Sequence, residues 1–319
     1  IKEEIKLSSH NETEPVWDIV KNLLYIAIPI TIGASISPVM GIMDSYIVSS
    51  RLAAIGYTEA QYTGMFGELS GTAQTLINFP QVFSTAVAMS LVPAITEAFA
   101  RNQTQRLNVT ANAGVKMSMI IGLPCGIGLF MLAEPVIALL YPSIGPAKHA
   151  SSGALLEILA IGVIFLTLVQ AFTAILQSVN KQYQPVKNLA FGLVVKVILS
   201  YILIGIPSIN IRGAAISTTV AYLFVALLNW RDVNKTKIKV SLIEITARPL
   251  LSSAVMALAT GISFRVLKSV LGSQSMATLG AIAIAVVVYA VCLFLTGAIT
   301  KQDLDLIPKG DKLTRFVRK

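Results

Sequence analysis

Eight long apolar stretches run along the chain, separated by short polar segments. They lie at about Asn22–Ser49, Gly71–Ala98, Ala113–Leu140, Ala154–Val179, Pro185–Ile206, Gly213–Trp230, Pro249–Leu267 and Ala277–Ile299. Each reaches or approaches the ~20 residues that a helix needs to cross ~30 Å of hydrocarbon. A water-soluble core does not repeat that pattern eight times. The pattern predicts an all-α polytopic membrane protein with eight transmembrane helices.

The polar residues inside these stretches fall on single helix faces. Gln74, Asn78, Gln81 and Thr85 are spaced four, three and four residues apart and share one face of the second span. Thr167, Gln170 and Gln177 follow the same logic on the fourth. Amides at membrane depth either bond neighbouring helices, at ~0.6 kcal/mol per bond on average, or wall a polar cavity. Three large amides stacked beside Pro80 exceed what bonding requires, so a cavity wall is expected. Lys196 stands about 16 Å into the fifth span, near the midplane. It continues a stripe with Asn188, Gly192 and Ser200 at spacings of four. A lysine there costs at least ~2.5 kcal/mol unless it faces a cavity or a partner. Two readings follow: a cavity cation for an anionic substrate group or coupling ion, or a lysine paired with a carboxylate or snorkelled to the interface. Asp44, in the outer third of the first span, lies seven residues before Arg51 on the same face. It reads as an interfacial ion pair with Arg51 or as a coupling-ion ligand, and its depth places it near the outer mouth of the cavity. Glu97 and Arg101 form an i, i+4 pair at a helix end.

Proline and glycine punctuate the first three spans at Pro29, Gly33, Pro38 and Gly41, then Pro80 and Pro93, then Gly122, Pro124, Gly126 and Gly128. An interior proline removes a helix hydrogen bond, and a bilayer tolerates this only where protein or a water-filled cavity satisfies the freed carbonyl. Bent helices or cavity-lining helices, as in transporters, are expected. The spacings Gly67-x-x-x-Gly71 and Gly122-x-x-x-Gly126 permit close helix approach.

Composition strengthens the membrane assignment: 55% of the 319 residues are hydrophobic and 13% are charged, with a mean hydropathy of +0.73. The net charge of +9 is a topology signal, not a nucleic-acid footprint. Lys and Arg alternate by loop, 19 of the 25 lying on the side that carries both ends. The positive-inside rule makes that side cytoplasmic, in contact with anionic lipid headgroups. The polar lead-in before the first span reads as an inter-span loop, so the chain is expected to be the carboxy-terminal part of something longer.

No cofactor or metal site is expected. The histidines, His10 and His149, begin no His-x-x-x-x-Asp pattern. Asp303-x-Asp305 lies in the tail without an acidic or His partner, and no Gly-Lys-Ser/Thr loop exists to hold a nucleotide. Cys125 and Cys292 read as small apolar residues.

The segments KNLLYIAIPITIGASISPVMGIMDSYIVSSRL (Lys21–Leu52), LINFPQVFSTAVAMSLVPAITEAFAR (Leu76–Arg101) and GIPSINIRGAAISTTVAY (Gly205–Tyr222) resemble the MOP superfamily of flippases. That superfamily includes multidrug extruders, polysaccharide exporters and lipid II flippases. The nearest resemblance is to its stage V sporulation protein B-like, polysaccharide-biosynthesis branch, as is the ending DLDLIPKGDKL (Asp303–Leu313). The resemblance implies two helical lobes around a central cavity, of which this chain holds the second. The implied divisions are a linker at 1–21, a six-span lobe at 22–230, a basic loop at 231–248, a two-helix hairpin at 249–299 and a tail at 300–319. The implied function is transport of a lipid-linked glycan across the cytoplasmic membrane by alternating access. The implied partners are that glycan, membrane lipids and an amino-terminal lobe. The expected pathway residues are Lys196, Gln74, Asn78, Gln81, Gln170, Gln177 and Asp44. Lipid II flippases carry a cavity arginine in the second span of this half; Thr75 stands there, with Gln74 in place of the neighbouring aspartate. The alternatives are a cation-coupled drug exporter, a membrane-embedded glycan ligase or acyltransferase, and a non-transporting scaffold.

Overall fold

The structure, a computed structural model, describes residues 16–298. Among them are ten α-helices and no strand, and eight helical segments are long and apolar enough to cross a membrane. Helix α1 is Val16–Ala54, and α2 (Glu59–Gly67) runs through a π-helical turn (Glu68–Ala73) into α3 (Gln74–Ala100). Then follow α4 (Thr104–Met131), α5 (Ala133–Leu140), α6 (Pro146–Ser178), α7 (Tyr183–Ile204), α8 (Arg212–Asn234), α9 (Leu242–Leu271) and α10 (Gln274–Leu295).

Several element bounds differ from the sequence expectation. Residues 16–21, expected in the linker, belong to α1. The second span begins twelve residues early, at Glu59, because the polar run Glu59–Ser70 is helical and joined to α3 by the π turn. The third apolar stretch is two helices. Leu132 leaves helical geometry (φ −115°, ψ 25°) and a new helix starts at Ala133. Pro135 then falls in a first turn, where its missing N–H removes no helix bond. The basic loop shrinks to residues 235–241, since Arg231 and Arg248 are helical. The tail and most of the lead-in lie outside the described residues.

Short connections reverse the chain, several through residues with positive φ: Asn102 (53°), Asn180 (59°) and Asn210 (44°) between consecutive spans. Asparagine tolerates this region better than other side chains do. Helix α6 is the axle of the lobe. It packs on α3, α4, α5 and α8 and carries the core residues Leu155, Leu159, Phe172 and Ile175, each at most 2% exposed. The Gly122 and Gly126 pair brings α4 against it. A Cβ at Gly126 would lie 2.8 Å from the Ala160 carbonyl oxygen, and one at Gly122 would overlap the Thr167 side chain. The Gly67 and Gly71 pair makes no such approach; nothing lies within 4 Å of either added Cβ.

Helices α9 and α10 form a hairpin on the flank of the lobe. α9 packs along α4 and α10 against α5, and the Tyr289 hydroxyl donates to the Ile120 carbonyl at 2.7 Å. Their outer faces expose Leu251, Leu258, Ile262, Val270, Val286 and Val287. In water this would be an aggregation surface; against lipid tails it is ordinary.

Segments assigned to one membrane side meet at one end of the bundle. Asn108 donates to the Lys237 carbonyl at 3.0 Å and Asn112 to that of Lys239 at 2.9 Å. At the opposite end the Tyr141 hydroxyl donates to the Gly71 carbonyl at 3.4 Å, and Ser151 donates to Glu68.

Candidate functional site

The stripe of α7 foreseen from spacing exists and faces inward. Pro185, Asn188, Gly192, Lys196, Ser200 and Ile204 are its buried residues. Asn188 donates to Asn229 on α8 at 2.8 Å, and the Ser200 and Ser217 hydroxyls lie 2.5 Å apart. Gly192 lets Val225 of α8 sit against the backbone. Lys196 Nζ donates to Asp44 Oδ2 of α1 at 2.6 Å, with side chains 5% and 11% exposed. The pair gives the midplane ammonium its counter-charge and fastens α1 to α7. Asp44 is therefore not the partner of Arg51. That guanidinium donates to the Tyr201 carbonyl at 3.1 Å and lies 4.2 Å from the Tyr201 ring centroid. Removing a buried charge's partner is strongly unfavourable, whereas the intact pair is close to neutral in stability. Glu97 and Arg101 pair at 3.3 Å, and Arg106 also reaches Glu97.

The amides behave differently. Gln74, Asn78, Gln81, Gln170 and Gln177 are all at least partly exposed. Among the described residues none of the five makes a side-chain hydrogen bond. Helix-to-helix bonding thus does not account for them. Gln170 and Gln177 of α6 line a cleft of about 360 Å³ between α1, α3, α6 and α7. Thr85, the last member of the α3 stripe, lines the same cleft, as do Gly33 of α1 and Pro185 of α7. Gln74, Asn78 and Gln81 climb α3 from that cleft towards the π turn and do not border it. Lys196 and Asp44 lie outside it, engaged with each other.

The π turn that precedes the stripe is held by hydroxyls. Ser70 donates to the Phe66 carbonyl at 2.8 Å, Thr75 to that of Gly71 at 3.0 Å, and Thr72 to that of Glu68. Such back-bonding satisfies carbonyls that the widened turn frees. Sequence spacing did not reveal the turn, nor the Asn108 and Asn112 clamp on the loop at 235–241. The only signal for the first was the density of Ser and Thr between Glu68 and Thr75.

A bundle of membrane-length helices around one axle, with unbonded amides and a flanking hairpin, defines a polytopic membrane protein. The family model of lipid II flippase MurJ matches residues 14–302; the chain belongs to that family. It is 24% identical to an uncharacterized membrane protein, YabM, of Bacillus subtilis, over 95% of this chain and 56% of that protein. It is 25% identical to the stage V sporulation protein B of the same organism (90% and 54%) and 26% identical to its lipid II flippase MurJ (78% and 44%). The chain spans about half the length of these curated relatives. Among solved structures, the inward closed conformation of lipid II flippase MurJ superposes with a TM-score of 0.69 at 17% identity, covering 91% of this chain and 57% of that one. An outward-facing MATE family transporter of the MOP superfamily superposes at 0.56 and 14% identity, covering 91% and 67%.

Proposed function

We propose that this chain forms one lobe of an alternating-access flippase that carries a lipid-linked glycan precursor across the cytoplasmic membrane. The observation that carries the reading is the set of five amides left unbonded at membrane depth. An amide that faces lipid without a partner is costly, so the wall from Gln74 through Asn78 and Gln81 to Gln170 and Gln177 faces water or substrate. Sugar hydroxyls and diphosphate oxygens are the groups such amides bond. A second lobe, as in the relatives of nearly twice this length, closes the other side of the pathway.

In this reading Lys196 and Asp44 act as a unit. An anionic headgroup gains from the ammonium only by displacing Asp44, so the pair is a latent cation at the side of the pathway. Asp44, already engaged, is a poor site for a coupling cation, which favours the flippase over the drug exporter. The protein works as a transporter and not as an enzyme, with both ends of the chain in the cytoplasm.

The test is transfer of a fluorescent lipid-linked glycan between leaflets of vesicles containing the full-length protein. Gln170→Leu with Gln177→Leu should abolish transfer while the protein remains folded. Unchanged transfer in that variant, or joining of glycans without transfer, would sink the reading.

A further inference from the structure

A second cleft, of about 320 Å³, opens between the ends of α7 and α8. Lys181, Lys187, Arg231 and Lys235 line it, together with Asp232 and Asn188. On α7 it is bordered by positions 184, 187, 188 and 191, whereas the amide-lined cleft is bordered by 185, 186 and 189. At 3.6 residues per turn those two sets point in roughly opposite directions. This cleft therefore opens away from the proposed pathway, towards the surrounding membrane.

Its charges are poorly compensated. Asp232 is the one carboxylate, and it is already occupied, accepting from Lys235 at 3.0 Å and from the buried Asn188 at 2.9 Å. Arg231 shares the field of Asp232 without a direct bond to it, and among the described residues Lys181 and Lys187 make no side-chain hydrogen bond or ion pair. The Lys187 ammonium sits 5.8 Å from the Phe191 ring centroid. One helical turn deeper into the spans, the lining changes to Phe191 and Leu228. The cleft thus grades from cationic at the helix ends to apolar at the depth where acyl chains begin. A soluble anion has no use for the apolar wall; a phospholipid needs both parts.

We propose that this cleft is a binding site for the phosphate headgroup of an anionic membrane phospholipid. The guanidinium of Arg231 and the ammonium groups of Lys181 and Lys187 would hold the phosphate oxygens through charge-assisted hydrogen bonds. The glycerol and first methylenes would lie on Phe191 and Leu228. The site belongs to the lobe's outer surface, so it stands or falls independently of transport.

Native mass spectrometry of the full-length protein in detergent, titrated with phosphatidylglycerol or phosphatidylcholine of the same acyl chains, reads binding directly. Phosphatidylglycerol should be retained preferentially. Lys187→Gln with Arg231→Gln should weaken it roughly thirtyfold, and Lys181→Gln alone, at an exposed position, roughly fivefold. Arg265→Gln with Lys268→Gln, near the far end of α9, should leave it unchanged. Should the first pair unfold the protein, the single Lys181 change, with its roughly fivefold loss, carries the test. Equal retention of the two lipids, or equal loss in the cleft and control variants, overturns the proposal. Displacement of the lipid by millimolar inorganic phosphate would assign the cleft to a soluble phosphate and remove the lipid from it.

Discussion

Lys196 and Asp44 stand 152 positions apart in the chain and meet at 2.6 Å between α7 and α1. Each neutralises a charge that the membrane interior would otherwise reject. Lys196→Met alone leaves Asp44 buried without a partner, and Asp44→Asn does the same to the lysine. Either change should destabilise the protein by about 3–5 kcal/mol. The double variant should recover much of that loss, because both charges leave together. Unfolding midpoints in detergent measure all three. A double variant as unstable as the sum of the singles would show that the two side chains do not act as a pair.

The amides give the opposite pattern. Gln170→Leu and Gln177→Leu remove no bond within the protein, so stability should change by no more than about 0.5 kcal/mol. Transfer of the lipid-linked glycan should fall at least tenfold. Loss of stability without loss of transfer would return these side chains to a packing role.

Gly122 should not tolerate a methyl group. An alanine there pushes against Thr167 at the contact of α4 with α6, and overpacking of this kind costs about 1–3 kcal/mol. Thr167→Ala in the same chain should restore most of the loss. Gly71→Ala, with open space around its Cβ, serves as the control and should be nearly silent.

Sidedness can be read with cysteines. Residues introduced at Ser143 and Gln274 should react with impermeant thiol reagents on intact cells, and one at Lys237 should react only after permeabilisation. Reaction at Lys237 in intact cells would reverse the orientation argued from the basic loops.

Much of the fold was legible because membrane helices are written in one dimension. Apolar length gives the spans, and Gln170 and Gln177 share a face by spacing alone. Lys196 marks where that legibility stops. Spacing identified its stripe but not the element the stripe faces, since a helix face has no direction until its neighbours are placed. The same holds for Asp44, whose partner in sequence was Arg51 and whose partner in space is on α7. The break at Leu132 was hidden because Leu132 is as apolar as its neighbours; only Pro135 hinted at it. Asn108 and Asn112 precede the third apolar stretch in sequence; they sit on α4 and grip carbonyls about 130 positions away, a contact that no local pattern announces.

The widened turn at Glu68–Ala73 sets the compass bearing of everything after it on the same helix. One residue more or less in a helix rotates the remainder by about 100°. Removing a single residue there would leave Gln74, Asn78 and Gln81 chemically intact and swing them, with Thr85, away from the side that Gln170 and Gln177 face. The phase of the amide row is thus stored upstream of the row itself, in a stretch with no amide at all. A deletion one turn away could silence the pathway without altering any residue that borders it.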